Sequence, residues 1–580
     1  MLIKGMKDRG YDYRLASFCF FLPLSIYVYL FFAIPSIGDP ITQDELWWYS
    51  KPALIEKGDF SEDFAKLLWS PPLYGCLLSS SFWLFGTNEA ASRLIGVLCN
   101  VSTIIITFLL AREVFSCKQN LHDAKSYIAA STASFVYACN PMVIQGSLIV
   151  DIDCTILTTF MTLFVYCFIR VWKHLDFKNV VLLCFLYSLT LWSKLTTPPI
   201  LIICMLLFFL LNKNRKLNLC KVMMIFLVGN AIFLSSWWIV SYLKELPFSQ
   251  PLEYFIESFS SSQMQGSIKD VIILFVRRVF RLGLWISPVV IVFIFLLWGE
   301  RIKDYFRNKH LTAFDFLVIY STSIFVGYIV VGGMLFGFPK YHYPMMPVLS
   351  VLISIYFINN LSTFQKKEFC VFLIIIFVGI IYHIFFVGDM LYEFGFTLRK
   401  FVVENSLWIS KVLQDIIFRL LYLVFFFVIV LFFLKKYANW YKFKAICIIS
   451  LIITLISTSF ALNIIQAKSN YLTRYCYGES GTWELIEYLK KNKGENGVTV
   501  ATRDIAYYVN SPLLPDAVWY NPDEFLKEIE DYQVDNVVYS IGHNDVNQFT
   551  TTLYNPKVQE VLQEQFIKKK IGTYTVWARK

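Results

Sequence analysis

Long apolar stretches with almost no charge recur along this chain, and they limit its fold more than any other feature. Thirteen can be marked, at residues 15–37, 90–110, 127–148, 155–172, 180–192, 198–211, 222–240, 282–298, 311–335, 344–358, 369–387, 416–434 and 445–465. About 20 apolar residues in a helix cross a bilayer. Backbone in lipid must satisfy its own polar groups, which leaves helices and closed barrels, and runs that do not alternate read as helices. Apolar residues make up 57% and charged residues 16% of the 580, against about 25% charged in an average soluble chain. Disordered, collagenous and disulfide-stapled classes are excluded. The expected class is a polytopic α-helical membrane protein.

The charges assign sides to the loops. Lys4, Lys7, Arg9 and Arg14 precede the first stretch, which is too long for a signal-peptide core and reads as an uncleaved span. With the N-terminus inside, the inner loops collect 24 basic residues and the short outer segments about 14. A fourteenth apolar piece, residues 72–85, has 14 residues. If it crossed, every later loop would change sides and the bias would reverse, so it is expected to lie in the outer interface. The net charge of +10 then serves topology, and no nucleic-acid partner is expected. Residues 1–465 form the transmembrane unit, with an outer loop at 38–89. Residues 466–580 are expected outside as an α/β domain, with helices at 482–491 and 523–531 and strands at 497–501, 536–540 and 574–578.

The residues that could carry chemistry fall on this outer face. Thr42-Gln43-Asp44-Glu45 follows the first span, ahead of an aromatic-rich helix at 46–55. Such an acidic pair also suits a helix N-cap. Asp151 and Asp153 close the third span, where acids are costly unless they serve a site or reach water. Lys340-Tyr341-His342-Tyr343-Pro344 precedes the tenth span. Arg277, Arg278 and Arg281 precede the eighth, and Lys194 follows the fifth. Fixed cations beside lipid suit a phosphate or a lipid headgroup. No histidine spacing marks a metal site, and no C-x-x-C occurs among the 13 cysteines. No cofactor is called for, and a divalent metal is compatible with the motifs but not required by them.

Taken in order, QDE at 43–45, GDF at 58–60, SPPLYGCLLSSSFWLFGTNEAASRL at 70–94, VDIDC at 150–154, WSK at 192–194 and PKYHYP at 339–344 resemble the GT-C membrane glycosyltransferases. Specifically, they resemble the group holding the lipid A aminoarabinose transferases and the protein O-mannosyltransferases. The resemblance implies a GT-C fold of about 13 transmembrane helices, a single multi-pass chain in the cytoplasmic membrane, and a sugar donor on a polyprenyl phosphate used outside it. It implies that Asp44 matches the first-loop acid that acts as base or orients the acceptor, that Asp153 matches the acid after the third span, and that Lys340 matches a basic residue near the donor phosphate. Ser70-Pro71-Pro72 stands where the aminoarabinose transferases carry Glu-Lys-Pro, so their first-loop lysine is missing.

The chemistry suits these residue types. A phosphate leaving group needs cations as its charge develops, and an acceptor hydroxyl needs a positioned carboxylate. Asp44, Glu45 and Asp153 are the catalytic candidates. Lys340, Arg277, Arg278, Arg281 and Lys194 are the phosphate candidates, with Asp151, Tyr341, His342 and Tyr343 in support. The expected partners are the lipid-linked sugar, the bilayer and a glycan, glycolipid, lipopolysaccharide or protein acceptor, with the enzyme a monomer. A lipid flippase would instead place charges deep inside broken spans, and an O-antigen-ligase-like transferase would use a lipid diphosphate. The topology is directly testable: a reporter fused after Lys580 is expected to be active only outside the cytoplasm, and activity confined to the cytoplasm would refute the assignment.

Overall fold

The computed structural model describes residues 17–41, 43–49, 73–116, 124–212, 216–243, 247–260, 297–299, 301–302, 305, 311–331 and 340–361 of the membrane unit. In the C-terminal unit it describes residues 481–492, 497–511, 521–540, 552–553, 555–572 and 574–580. The side chains of residues 43, 44 and 47 are outside the description. The expected spans at 369–387, 416–434 and 445–465, nearly all of 282–298, and Arg277, Arg278 and Arg281 also lie outside the described residues.

Four described helices are long and apolar enough to cross a membrane: Ser17–Ser36, Glu89–Phe115, Asp153–Val171 and Asn218–Leu243. Helices α1 (Leu22–Ala33) and α4 (Glu89–Ser116) pack with α5 (Ala124–Cys139). Between α1 and α4 lie two outer-loop helices, α2 (Gln43–Tyr49) and α3 (Leu73–Phe85). α3 is amphipathic. It buries Tyr74, Leu78 and Phe82 against Trp48 and Tyr49 of α2 and exposes Trp83, Leu84 and Phe85.

The third expected span, 127–148, is not one rod. It breaks at Asn140 and resumes as α6 (Pro141–Leu148), the two pieces bent by 59°. Proline cannot donate into the helical ladder and disfavours helix in the residue before it. The Asn140 carboxamide accepts from Met142 N at 2.9 Å and restarts the helix as a cap. Seven residues after the restart comes the acidic junction, residues 149–152, and then a π-type turn, Asp153–Leu157, that opens α7 (Thr158–Val171).

A polar node ties these pieces together beneath the junction. Asn100 of α4 accepts from Tyr137 Oη at 2.7 Å and donates to Cys154 O at 3.0 Å. The Tyr343 hydroxyl, 2.8 Å from both, shares its proton between Asn100 Oδ1 and Val143 O. Such a network, fully buried, is satisfied in only one arrangement. α8 (Phe177–Ser193), α9 (Pro199–Leu211), α10 (Lys216–Leu243), α11 (Gln250–Ser260), α12 (Ala313–Val331) and α13 (Met346–Leu361) complete the described membrane unit.

The C-terminal elements form a four-stranded mixed sheet in the order β1-β2-β4-β3, from β1 (Val498–Val500), β2 (Val534–Ser540), β3 (Phe566–Ile571) and β4 (Tyr574–Arg579). β1 and β2 run parallel, and the other neighbours run antiparallel. Alternate β2 residues face opposite cores: Val537 and Tyr539 pack with Phe525, Ile529 and Leu562, whereas Val538 packs with Leu485, Ile486 and Leu489. Helices α14 (Thr482–Asn492), α15 (Arg503–Tyr508), α16 (Pro522–Asp531) and α17 (Pro556–Gln565) supply those covers.

Gly96 marks the closest approach of α4 to α6. A Cβ there would overlap the Ser147 carbonyl, a backbone group that cannot swing aside. Gly96→Ala should therefore destabilise the protein by about 1–3 kcal/mol. A Cβ at Gly327 would meet nothing within 4 Å, so Gly327→Ala should be neutral or mildly stabilising. Thermal unfolding of the two variants in detergent checks the contrast, and equal melting would refute it.

Candidate active site

Arg93, one turn into α4, is fully buried and uses all three guanidinium nitrogens. Nε donates to Leu148 O at 2.7 Å, the free carbonyl end of α6. Nη1 donates to Ile37 O at 3.2 Å and to Asp39 O, and Nη2 donates to Pro40 O at 3.0 Å. Nη2 also meets the Glu45 carboxylate at 3.2 Å, and both side chains are fully buried. Glu45 Oε1 in turn accepts from Val150 N at 3.0 Å. The first-loop acidic motif is thus fastened to the residue just before Asp151. Ile41, Trp48 and Tyr49 pack around this bond with Tyr74, Val150, Ile152 and Ile156.

Asp151 and Asp153 both face inward from the junction, because Asp151 Oδ1 accepts from Asp153 N at 2.8 Å and closes a tight turn. Thr155 and Thr158 donate to the Asp151 and Asp153 carbonyls, each at 2.6 Å. Each carboxylate has its own lysine. Lys194 Nζ lies 2.7 and 2.8 Å from the two Asp153 oxygens, and Lys340 Nζ lies 2.9 Å from Asp151 Oδ2. Burial would raise the Asp151 carboxyl, but Lys340 and Lys194 outweigh it and hold the group below the usual carboxylate value.

The lysines differ in access. The Lys194 side chain is 7% exposed and the Lys340 side chain 18%, so an outside ligand reaches Lys340 first. Lys340 opens a 3₁₀ turn, Lys340–Met345, that leads into α13. Tyr341 on that turn sits by both ammonium groups, its ring centroid 4.5 Å from Lys194 Nζ and 5.9 Å from Lys340 Nζ. Tyr328 of α12 stacks behind it at 5.3 Å, with its hydroxyl on Thr197. His342 is buried edge-on against Phe325 and Tyr328. Tyr343 points the other way, into the Asn100 node.

Seven of the residues singled out from sequence therefore belong to one constellation: Glu45, Asp151, Asp153, Lys194, Lys340, Tyr341 and, on the same turn, His342. Asp44 lies on α2 beside Glu45, with its side chain outside the described residues, as are the three arginines. Sequence reasoning missed Arg93 and Asn100. Arg93 carried a signal, since an ionisable residue inside an apolar run is functional by default. Asn100 resembled any small polar residue in a span. Among the described residues no group of three or more His, Cys, Asp and Glu is arranged to hold a metal ion.

Residues 70–240 match the family model described as dolichyl-phosphate-mannose-protein mannosyltransferase, a segment that holds Arg93, Asn100, Asp151, Asp153 and Lys194. In three dimensions the chain is similar to ArnT from Cupriavidus metallidurans bound to undecaprenyl phosphate. The TM-score is 0.56 at 14% identity, over 97% of this chain and 98% of that one. The apo state of the same protein gives 0.55 at 14% identity, over 98% of both chains. An oligosaccharyltransferase from Archaeoglobus fulgidus in complex with zinc and sulfate overlaps at only 0.45 and 12% identity, over 96% of this chain and 73% of that one. No curated protein sequence matches the chain. The chain has a GT-C fold and resembles ArnT and the protein mannosyltransferases.

Removing one partner of a buried ion pair strands the other charge, at a cost of about 3–5 kcal/mol. Glu45→Gln should therefore lower stability by an amount in that range, measured by thermal unfolding in detergent. Lys340→Met, on the better solvated pair, should cost clearly less. An equal or reversed order would refute the reading of Arg93–Glu45 as the structural pair.

Proposed function

We propose that this protein is a glycosyltransferase of the outer face of the cytoplasmic membrane, moving a sugar from a polyprenyl-phosphate donor to an acceptor hydroxyl. The observation that carries this reading is the pair of interlocked Asp–Lys contacts at one junction, on a fold shared with a protein that binds undecaprenyl phosphate. A neutral transported lipid would have little use for two lysines, one buried and one half-buried, brought to one acidic junction. A phosphate leaving group would be stabilised by them, because its charge grows as the glycosidic bond breaks.

The residues divide the work as follows. Lys340, the more exposed cation, meets the donor phosphate, helped by one or more of Arg277, Arg278 and Arg281. Lys194 remains with Asp153 and fixes its orientation, and Asp151 holds Lys340 in place until the anion arrives. Asp44 takes the proton of the acceptor hydroxyl, which attacks the anomeric carbon from the face opposite the phosphate. That is a single inverting displacement with no covalent intermediate. Glu45, committed to Arg93 and Val150 N, sets the position of α2 and leaves Asp44 as the base. The acceptor is a glycan, glycolipid, lipopolysaccharide or protein on the same side of the membrane as residues 466–580, and the working unit is the single chain.

Two variants in lipid nanodiscs separate these roles. Charge-assisted contacts contribute about 1.5–3 kcal/mol, so Lys340→Met should weaken undecaprenyl phosphate binding by roughly 10- to 100-fold. Asp44→Asn should keep that affinity while transfer from a labelled polyprenyl-phosphate sugar falls by at least about 100-fold. If Lys340→Met changes neither affinity nor transfer, the lysine is a headgroup anchor. Full transfer by Asp44→Asn would reduce Asp44 to a charge on the first turn of α2.

A further inference from the structure

The C-terminal unit touches the acidic loop through two adjacent tyrosines at the end of α15. The Tyr508 hydroxyl accepts from Ile41 N at 2.8 Å and donates to Glu89 Oε1 at 2.9 Å. The Tyr507 ring meets Tyr49 of α2 edge-on at 6.1 Å, and Trp483 of α14 backs Tyr508 at 5.3 Å. Tyr508 also packs against the apolar cluster of Ile41, Trp48, Tyr49 and Tyr74. A single hydroxyl thus bridges three parts of the chain that lie more than 400 residues apart in two of its bonds.

Its position matters because of what else holds that stretch. Residues 37–41 form an irregular turn leading from the first span to α2, and irregular backbone must find partners for its polar groups. The carbonyls of Ile37, Asp39 and Pro40 accept from Arg93, and the amide of Ile41, a residue only 1% exposed, donates to Tyr508. Glu89 and Arg93 are one turn apart on α4, so both grips end on the same helix. The turn is clamped at its carbonyls by the membrane unit and at its last amide by the C-terminal unit.

We infer that Tyr508 is a positioning residue, through which the C-terminal unit sets the placement of α2, the helix that carries Asp44, against the Asp151–Asp153 junction. The inference rests on the proposed role of Asp44. It gives the C-terminal unit a part in the reaction without contact to the sugar or the phosphate, since the Tyr508 hydroxyl bonds the backbone ahead of α2 and the carboxylate of Glu89. Loss of the hydroxyl leaves the donor phosphate site intact, because Lys340, Lys194 and both aspartates are held by other elements.

The test uses full-length protein in nanodiscs and compares Tyr508→Phe, Glu89→Gln and Glu89→Ala with the wild type. Loss of one net hydrogen bond corresponds to about tenfold, so hydrogen exchange of the peptide spanning residues 38–45 should quicken by about that factor in Tyr508→Phe. The peptide spanning residues 150–160 should not change. Undecaprenyl phosphate affinity and the donor KM should stay at the wild-type value while kcat for sugar transfer falls. Glu89→Gln keeps an acceptor oxygen and should behave as wild type, and Glu89→Ala should follow Tyr508→Phe. Unchanged exchange at 38–45 overturns the inference. So does a joint loss of kcat and phosphate affinity, which would mean general loosening. If the wild type transfers no sugar, the glycosyltransferase reading fails, and the exchange data still decide whether Tyr508 clamps the turn.

Discussion

A guanidinium sealed away from water cannot be left short of acceptors, and most of the outer architecture follows from how Arg93 meets that demand. The carbonyls of residues 37, 39, 40 and 148 and the carboxylate of Glu45 converge on it. Those acceptors come from the first loop and from the end of a broken helix. Desolvating the charge is expensive and is offset only by near-complete hydrogen bonding. The bond network therefore tolerates one arrangement of first loop, α4 and α6. Gly96, one turn deeper, lets α4 approach closely enough for it to form.

The acidic junction inherits its shape from that arrangement. The fastening of Val150 to Glu45 fixes where the turn begins, and the Asx contact between Asp151 and Asp153 makes both carboxylates face inward. Two acids so close would repel unless cations intervened, and the two lysines supply them from different helices. The resulting cluster has no net charge, which keeps its burial affordable beside lipid. The Asn100 node below holds the partners in place: it ties Tyr343, three residues after Lys340, to Cys154, the residue after Asp153. The aspartate–lysine cluster is thus held from below by a neutral network and from the side by an ionic one.

Much of this was legible in the sequence, for identifiable reasons. Acids and lysines at the ends of apolar runs stand out because such positions normally carry aromatic and basic anchors, and parity of the spans put QDE, VDIDC, WSK and KYHYP on one face. The five C-terminal segments at 482–491, 497–501, 523–531, 536–540 and 574–578 form helices and strands at those places. Apart from Arg93 and the Asn-Pro break, what escaped had no local signature. The pairing of Asp151 with Lys340 and of Asp153 with Lys194 depends on tertiary packing, and either match would have fitted the spacing. Phe566–Ile571 was missed as a strand because Lys568, Lys569 and Lys570 break the apolar alternation; it lies at the sheet edge, where lysines are tolerated. The break at Asn140 was visible as Asn-Pro but was absorbed into a hydropathy run.

The two ion pairs have very different spans in sequence, 41 residues for Asp153–Lys194 and 189 for Asp151–Lys340. A membrane chain is threaded into the bilayer from its N-terminus as it is made. The first pair can close as soon as α8 follows α7, within a single helical hairpin. Asp151 must wait for some 145 further residues after Lys194 before residue 340 exists, lodged at the membrane edge as an acid without its cation. Until then it has reason to keep a proton or to stay in water, and the junction cannot settle. The arrival of the Lys340–Met345 turn is what completes the constellation: a chain that ends just before it holds the first ion pair and lacks the second.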